Sequence, residues 1–241
     1  MPKLLKTRSW LIVEPSADPA EIHSSGADRI VLDLTGKAGA SGMVTNFCRK
    51  WKEFCPNDRL DLLVPPFSSG DAEKGAELAV QLNANTVLLA GARSGADIQR
   101  LDVILRVAEV RTGVVVGSTG IVALASSAGI LTADSFERCS IRLQAIGREN
   151  QGDPLSDTAR LARATIGLAA SAAGVAALDA ISPTGDEAVF QSECVIAREN
   201  GFAGKLCRQP SQIPVINHAF DGPAPGPAGR TISKTSAPPS A

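Results

Sequence analysis

Four short stretches carry side chains able to do chemistry. The run Arg29–Asp33 (RIVLD) ends on a carboxylate, Asp33, and Gly147-Arg148-Glu149-Asn150 sets a guanidinium beside a second carboxylate. A carboxylate near a reacting group suits proton transfer, and a fixed cation suits a developing oxyanion. Gly91-Ala92-Arg93 offers another cation. Gly117-Ser118-Thr119-Gly120 offers hydroxyls and, at a helix start, backbone N–H groups aimed at an anion. Each stretch also has a plainer reading. Asp33 can brace a loop, Arg93 can be an ordinary loop cation, and Ser118 or Thr119 can cap a helix.

Other signals are weaker. Gly36–Gly42 (GKAGASG) departs from the phosphate-loop pattern because no Ser or Thr follows Lys37, so it reads as a strand-to-helix loop. His23 and His218 fall inside predicted outer helices, without a recognisable Ser or Asp partner for a triad. Cys207 closes the last predicted strand, where a mouth-facing thiol and a buried structural thiol are both open, the second being the default.

These residues must be positioned by alternating strands and helices. Predicted strands are Trp10–Val13, Arg29–Asp33, Leu60–Val64, Thr86–Ala90, Val114–Gly117, Ile141–Ala145, Ala177–Asp179 and Lys205–Cys207. Helical patterns fall near Pro19–Ser25, Met43–Phe54, Asp71–Leu82, Gly95–Val107, Ile121–Gly129, Ser156–Ala173, Asp186–Asn200 and Pro210–Phe220. Such alternation implies a parallel sheet covered by helices. Runs such as IVLD and TVLLA lack polar alternation, as strands buried on both faces should. Eight repeats in 241 residues fit an α/β fold, a single TIM-type (β/α)8 barrel over residues 1–220. An open doubly wound sheet is the alternative. Residues 221–241, rich in Pro, Gly, Ala and Ser, read as a disordered tail.

Composition narrows the function classes. A net charge of -1 gives no case for nucleic acid or an anionic membrane. The apolar run near the start is too short for a signal peptide, and no stretch is long and apolar enough to span a membrane. Five scattered cysteines without a CxxC pair suggest reduced thiols and a cytoplasmic protein. Aromatics are only 4% of residues, so aliphatic packing must build the core.

The two ends of the chain resemble the citrate lyase β-subunit-like (HpcH/HpaI aldolase) family. Near the C-terminus Gly201, Phe202, Gly204, Lys205, Pro210, Gln212, Ile213, Asn217 and Phe220 match a GFxGK strand followed by I-H-P-x-Q-I/V-x-x-V-N-x-x-F, with Gln209 in the His place. Near the start Arg8, Ser9, Ser16, Gly26, Ala27, Asp28, Asp33 and Leu34 match R-S-x-L-F-V-P-G-S…A-S-G-A-D-x-V-I-L-D-L-E-D, with Thr35-Gly36 in place of the acidic pair. The resemblance implies a barrel that makes or breaks carbon–carbon bonds of acyl-CoA or 2-oxo-acid substrates, with magnesium stabilising an enolate. It also implies a small anionic metabolite as ligand and a homo-oligomer as a possible assembly.

Several places depart from the family pattern. The substrate-binding Arg of V-R-I-N falls on Pro65, and the Lys after the fourth strand falls on Gly91. The two magnesium ligands fall on Ser118, for the Glu of I-E-T, and Asn150, for the Asp of G-x-x-D. Magnesium is usually held through one or two carboxylates, so no residue is assigned to a metal; Glu149 and Asp153 remain as neighbours able to compensate. The catalytic candidates are Asp33, Arg148 and Glu149, and the substrate-binding candidates are Arg93, Ser118, Thr119 and Asn150. Two readings follow: a divergent lyase or thioester hydrolase with a remodelled mouth, or a non-catalytic relative that binds a small anion or a partner protein.

Overall fold

The computed structural model describes residues 7–36, 41–149, 152–154 and 156–222. Eight strands pair in sequence order, each parallel to the next, and the last closes on the first. They are β1 (Ser9–Val13), β2 (Arg29–Asp33), β3 (Asp61–Val64), β4 (Thr86–Ala92), β5 (Gly120–Ala125), β6 (Leu143–Arg148), β7 (Ala176–Asp179) and β8 (Gly204–Cys207). The helices are α1 (Pro19–Ser24), α2 (Ser41–Phe54), α3 (Ala72–Gln81), α4 (Gly95–Thr112), α5 (Ser127–Leu131), α6 (Asp157–Ala173), α7 (Glu187–Glu199) and α8 (Ile213–Ala219). The chain is thus a (β/α)8 barrel, as the eightfold alternation predicts, and not an open sheet. No helix among the described residues is long and apolar enough to cross a membrane.

Period-two alternation along the strands divides the core. Trp10, Ile12, Val31, Leu63, Leu88, Val122, Leu124, Leu178 and Leu206 form one cluster inside the barrel. Their strand neighbours Leu11, Leu32, Leu62, Leu89 and Ala123 pack outward with the helix faces. Burial on both sides explains why the strands show no polar alternation. Helix ends follow the local chemistry. Asp18 and Asp186 accept the first N–H groups of α1 and α7, and Gly113 and Gly174 close α4 and α6 with left-handed backbones.

The fifth strand, the helix after it and the sixth strand depart from expectation. Val114–Gly117 is not the fifth strand: Val115 and Val116 are exposed in the turn after Gly113, and the strand begins at Gly120. Consequently most of the helix expected at Ile121–Gly129 is strand, and α5 starts at Ser127. The turn is fixed by Glu109, whose carboxylate accepts the N–H of Gly117 (2.8 Å) and Thr119 (3.0 Å). A short buried apolar run such as GIVALA has no periodicity that separates strand from helix. The expected sixth strand also shifts, from Ile141–Ala145 to Leu143–Arg148, which brings Arg148 to its last position. Asp221 and Gly222 are described, with Asp221 bonded to Arg8, whereas the rest of the expected tail lies outside the described residues.

Candidate functional site

The carboxyl ends of the strands form one mouth. Asp33 is the last residue of β2, and its side chain is nearly buried. Its Oδ1 accepts from the backbone N–H (2.8 Å) and the hydroxyl (2.6 Å) of Thr35. Its Oδ2 accepts from Nη2 of Arg208 at 2.6 Å. Arg208 directly follows β8, so the pair reaches over β1 and ties the ends of β2 and β8 together. The Arg208 side chain is 42% exposed, and Asp33 is its bonded partner, engaging one of the five N–H donors an arginine carries.

Beneath this pair lies a cavity of about 320 Å³. Ile12, Leu63, Ala90, Leu124 and Leu206 supply an aliphatic floor, while Thr35, Pro66, Arg148, Glu149, Ile181 and Arg208 make the rim. Glu149 reaches the rim because its N–H extends the ladder to the carbonyl of Ala125 (3.0 Å). Its Oε1 lies 3.6 Å from where a β-carbon on Gly91 would stand, and Pro66 Cβ lies 3.0 Å from the same point. Gly91 has φ +63°, so a side chain here would be strained and would press on Pro66. The glycine in the family's Lys place is therefore built into this mouth.

Arg148 is committed elsewhere. Its Nε and Nη2 bond Oδ1 of Asp179 at 3.0 and 2.9 Å, and the side chain is buried. Lys205 bonds Oδ2 of Asp179 at 2.7 Å, and Arg163 approaches Oδ1 at 3.5 Å. Burial pushes the Asp179 carboxyl up, but Lys205, Arg148 and Arg163 outweigh it and hold it at about 2. Glu193 completes the cluster, near Lys205 at 3.5 Å and accepting from Ser182 at 2.9 Å. Arg148 thus touches the rim while bracing β6 against β7.

Arg93, Ser118 and Thr119 do not line the cavity. Arg93 is exposed in the loop after β4, where its backbone N–H donates to Asp97 (2.9 Å), and its side chain does not line the cavity. Ser118 and Thr119 precede β5 and so lie at the amino end of the barrel, opposite Asp33. Their expected place at the mouth followed from the misassigned fifth strand, and no helix starts there to offer N–H groups. Asn150 lies outside the described residues, as do Lys37–Ala40 of the glycine-rich loop. Cys207 is buried and its thiol is pushed up to about 12 by burial, the structural role expected by default. The residue that sequence reasoning missed is Arg208, although its place directly after the last strand was itself a signal.

Among the described residues, the donor set at the mouth does not fit a carboxylate-held magnesium. The end of β5 is Leu124-Ala125-Ser126, and the Ser126 hydroxyl caps α5 by accepting from Gly129. Both oxygens of Asp33 are already engaged. Among the described residues no cluster of three or more His, Cys, Asp or Glu side chains is arranged to hold a metal.

No protein-family model matches the chain, and no curated protein matches it. Solved structures do. The citrate lyase β subunit from Mycobacterium tuberculosis is 24% identical and superposes with a TM-score of 0.72, covering 92% of this chain and 100% of that one. The same subunit complexed with oxaloacetate and magnesium gives a TM-score of 0.71 at 24% identity over 92% and 100% of the two chains. RipC from Yersinia pestis gives 0.70 at 20% identity over 90% and 96%. At these identities the likeness establishes a shared fold: the chain is built like the citrate lyase β subunits that its terminal motifs resemble.

Proposed function

We propose that the chain is a divergent carbon–carbon lyase of the citrate lyase β-subunit kind, taking a 2-oxo acid or the acyl end of a CoA thioester at the mouth of its barrel. The observation that carries this reading is the convergence of Glu149 and of Arg208, itself held by Asp33, on one cavity at the strand ends, where barrels of this type build active sites. Solved relatives in fold include a complex with magnesium, acetoacetate and coenzyme A, which supports the ligand class. In this reading Arg208 receives the substrate carboxylate or carbonyl oxygen, and Asp33 holds the guanidinium in place. Glu149 takes the hydroxyl proton as the carbon–carbon bond breaks to a carbonyl product and an enolate. The enolate charge rests against Arg208 until its carbon is protonated. Arg148 is a positioning residue, fixing the strand from which Glu149 projects.

A second reading, a non-catalytic relative that binds a small anion, is favoured by the aliphatic floor and by the poor fit to magnesium. One experiment separates them: turnover of 2-oxo-acid and acyl-CoA panels with magnesium and with chelator, in wild type, Arg208→Ala and Glu149→Gln. Metal-independent turnover lost in both variants supports the lyase reading. Saturable binding without turnover moves the assignment to the binder. Magnesium-dependent turnover indifferent to both substitutions overturns both.

A further inference from the structure

We infer that the mouth selects a monocarboxylate with an apolar tail over a dicarboxylate, an inference that rests on the reading of the mouth as a site for 2-oxo acids or acyl groups. The argument is the placement of charge around the cavity. Five strands, β1, β3, β4, β5 and β8, point an aliphatic side chain into its floor: Ile12, Leu63, Ala90, Leu124 and Leu206. β3 is followed by Pro65-Pro66, and the cation that follows β4, Arg93, does not line the cavity. Of the two rim arginines, Arg148 is spent on Asp179, and Arg208 alone carries a partly exposed guanidinium with donors to spare.

Among the described residues, therefore, one carboxylate can be met, by Arg208. A second carboxylate on the same ligand would reach either the aliphatic floor, where it loses water and finds no donor, or the Glu149 side of the rim, where it meets a like charge. An apolar tail gains on the same floor, since one added methylene in a hydrophobic pocket changes discrimination by about tenfold or more. Glu149 and Ile181 are then the specificity-determining rim positions. Glu149 disfavours a second negative charge, and Ile181 leaves the β7 side without a cation to attract one.

Calorimetric titration of the full chain with 4-methyl-2-oxopentanoate and with oxaloacetate tests this, because both present a 2-oxo carboxylate and differ in the other end. Wild type should bind the apolar acid at least tenfold more tightly. Glu149→Gln should narrow the gap to about threefold, and Ile181→Arg, at the partly exposed rim, should strengthen oxaloacetate about tenfold. Circular dichroism confirms that each variant is folded. Oxaloacetate binding as tightly as the apolar acid in wild type, or a gap unmoved by either variant, overturns the selectivity while leaving the mouth as the site. No binding of either acid to folded wild type removes the proposed function and the selectivity with it.

Discussion

The two ends of the barrel use arginine in opposite ways. At the amino end Arg142 gives two N–H groups to Glu109 (2.8 and 2.7 Å), one to Asp102 (2.8 Å) and one to the carbonyl of Thr119 (3.1 Å). At the same end Arg29 pairs with Asp61 and lies over the ring of Trp10, 4.9 Å from its centroid. Every one of these charges is consumed by the protein. At the carboxyl end Arg208 holds, among the described residues, only Asp33, remains partly exposed and lines a cavity. Charges that saturate one another fasten the fold, whereas an arginine with spare donors beside apolar space can hold a ligand.

The comparison breaks most visibly under loss of Arg142. Arg142→Ala leaves Glu109 buried with its two backbone N–H partners and without its cation, takes one of the cations from Asp102, and should cost about 3–5 kcal/mol in equilibrium denaturation. The folded fraction should keep its affinity for ligand at the mouth. Acid comes next. Burial raises Glu109, but Arg142 and the N–H groups of Gly117 and Thr119 outweigh it and hold it at about 2, where Asp179 also sits. Both are depressed below the ordinary carboxylate value. Their stabilisation is therefore complete above about pH 5 and lost as pH falls toward 2, roughly 2.5 kcal/mol for Asp179 alone. Denaturation curves at pH 6, 4 and 2.5 should show that loss, and Asp179→Asn should flatten it.

Arg208→Ala should do the reverse of Arg142→Ala. Affinity for a 2-oxo acid should fall about 10–100-fold, the value of hydrogen bonds to a charged group, while stability changes by about 1 kcal/mol or less. Ser118→Ala gives the smallest effect. Its buried hydroxyl has no hydrogen-bond partner among the described residues, and it lies at the amino end, so stability should stay within about 0.5 kcal/mol and ligand affinity should be unchanged. A loss of binding in Ser118→Ala would return that serine to the site.

The barrel was legible because parallel strands buried on both faces read as unbroken apolar runs, and seven of the eight fell close to their expected positions. The fifth did not, because Val114–Val116 is more β-branched than Gly120–Ala125, yet Gly113 turns it out into solvent. That single slip carried Ser118 and Thr119 to the wrong end. Asp33 was legible as a carboxylate closing a strand, and Glu149 as the acid after the sixth. Arg148 was identified as a mouth cation, but its commitment to Asp179 depends on β7 and β8 meeting beside it, which local sequence does not encode. Arg208 was passed over because the motif around it drew attention to Gln209, one residue beyond.

The most direct test follows the arginine side chains themselves. In chain labelled at arginine Nε, titration with a 2-oxo acid in chelator should shift the Arg208 resonance saturably and leave the Arg142 resonance in place. A shift at Arg142 with Arg208 unmoved would contradict the assignment of the mouth as the ligand site.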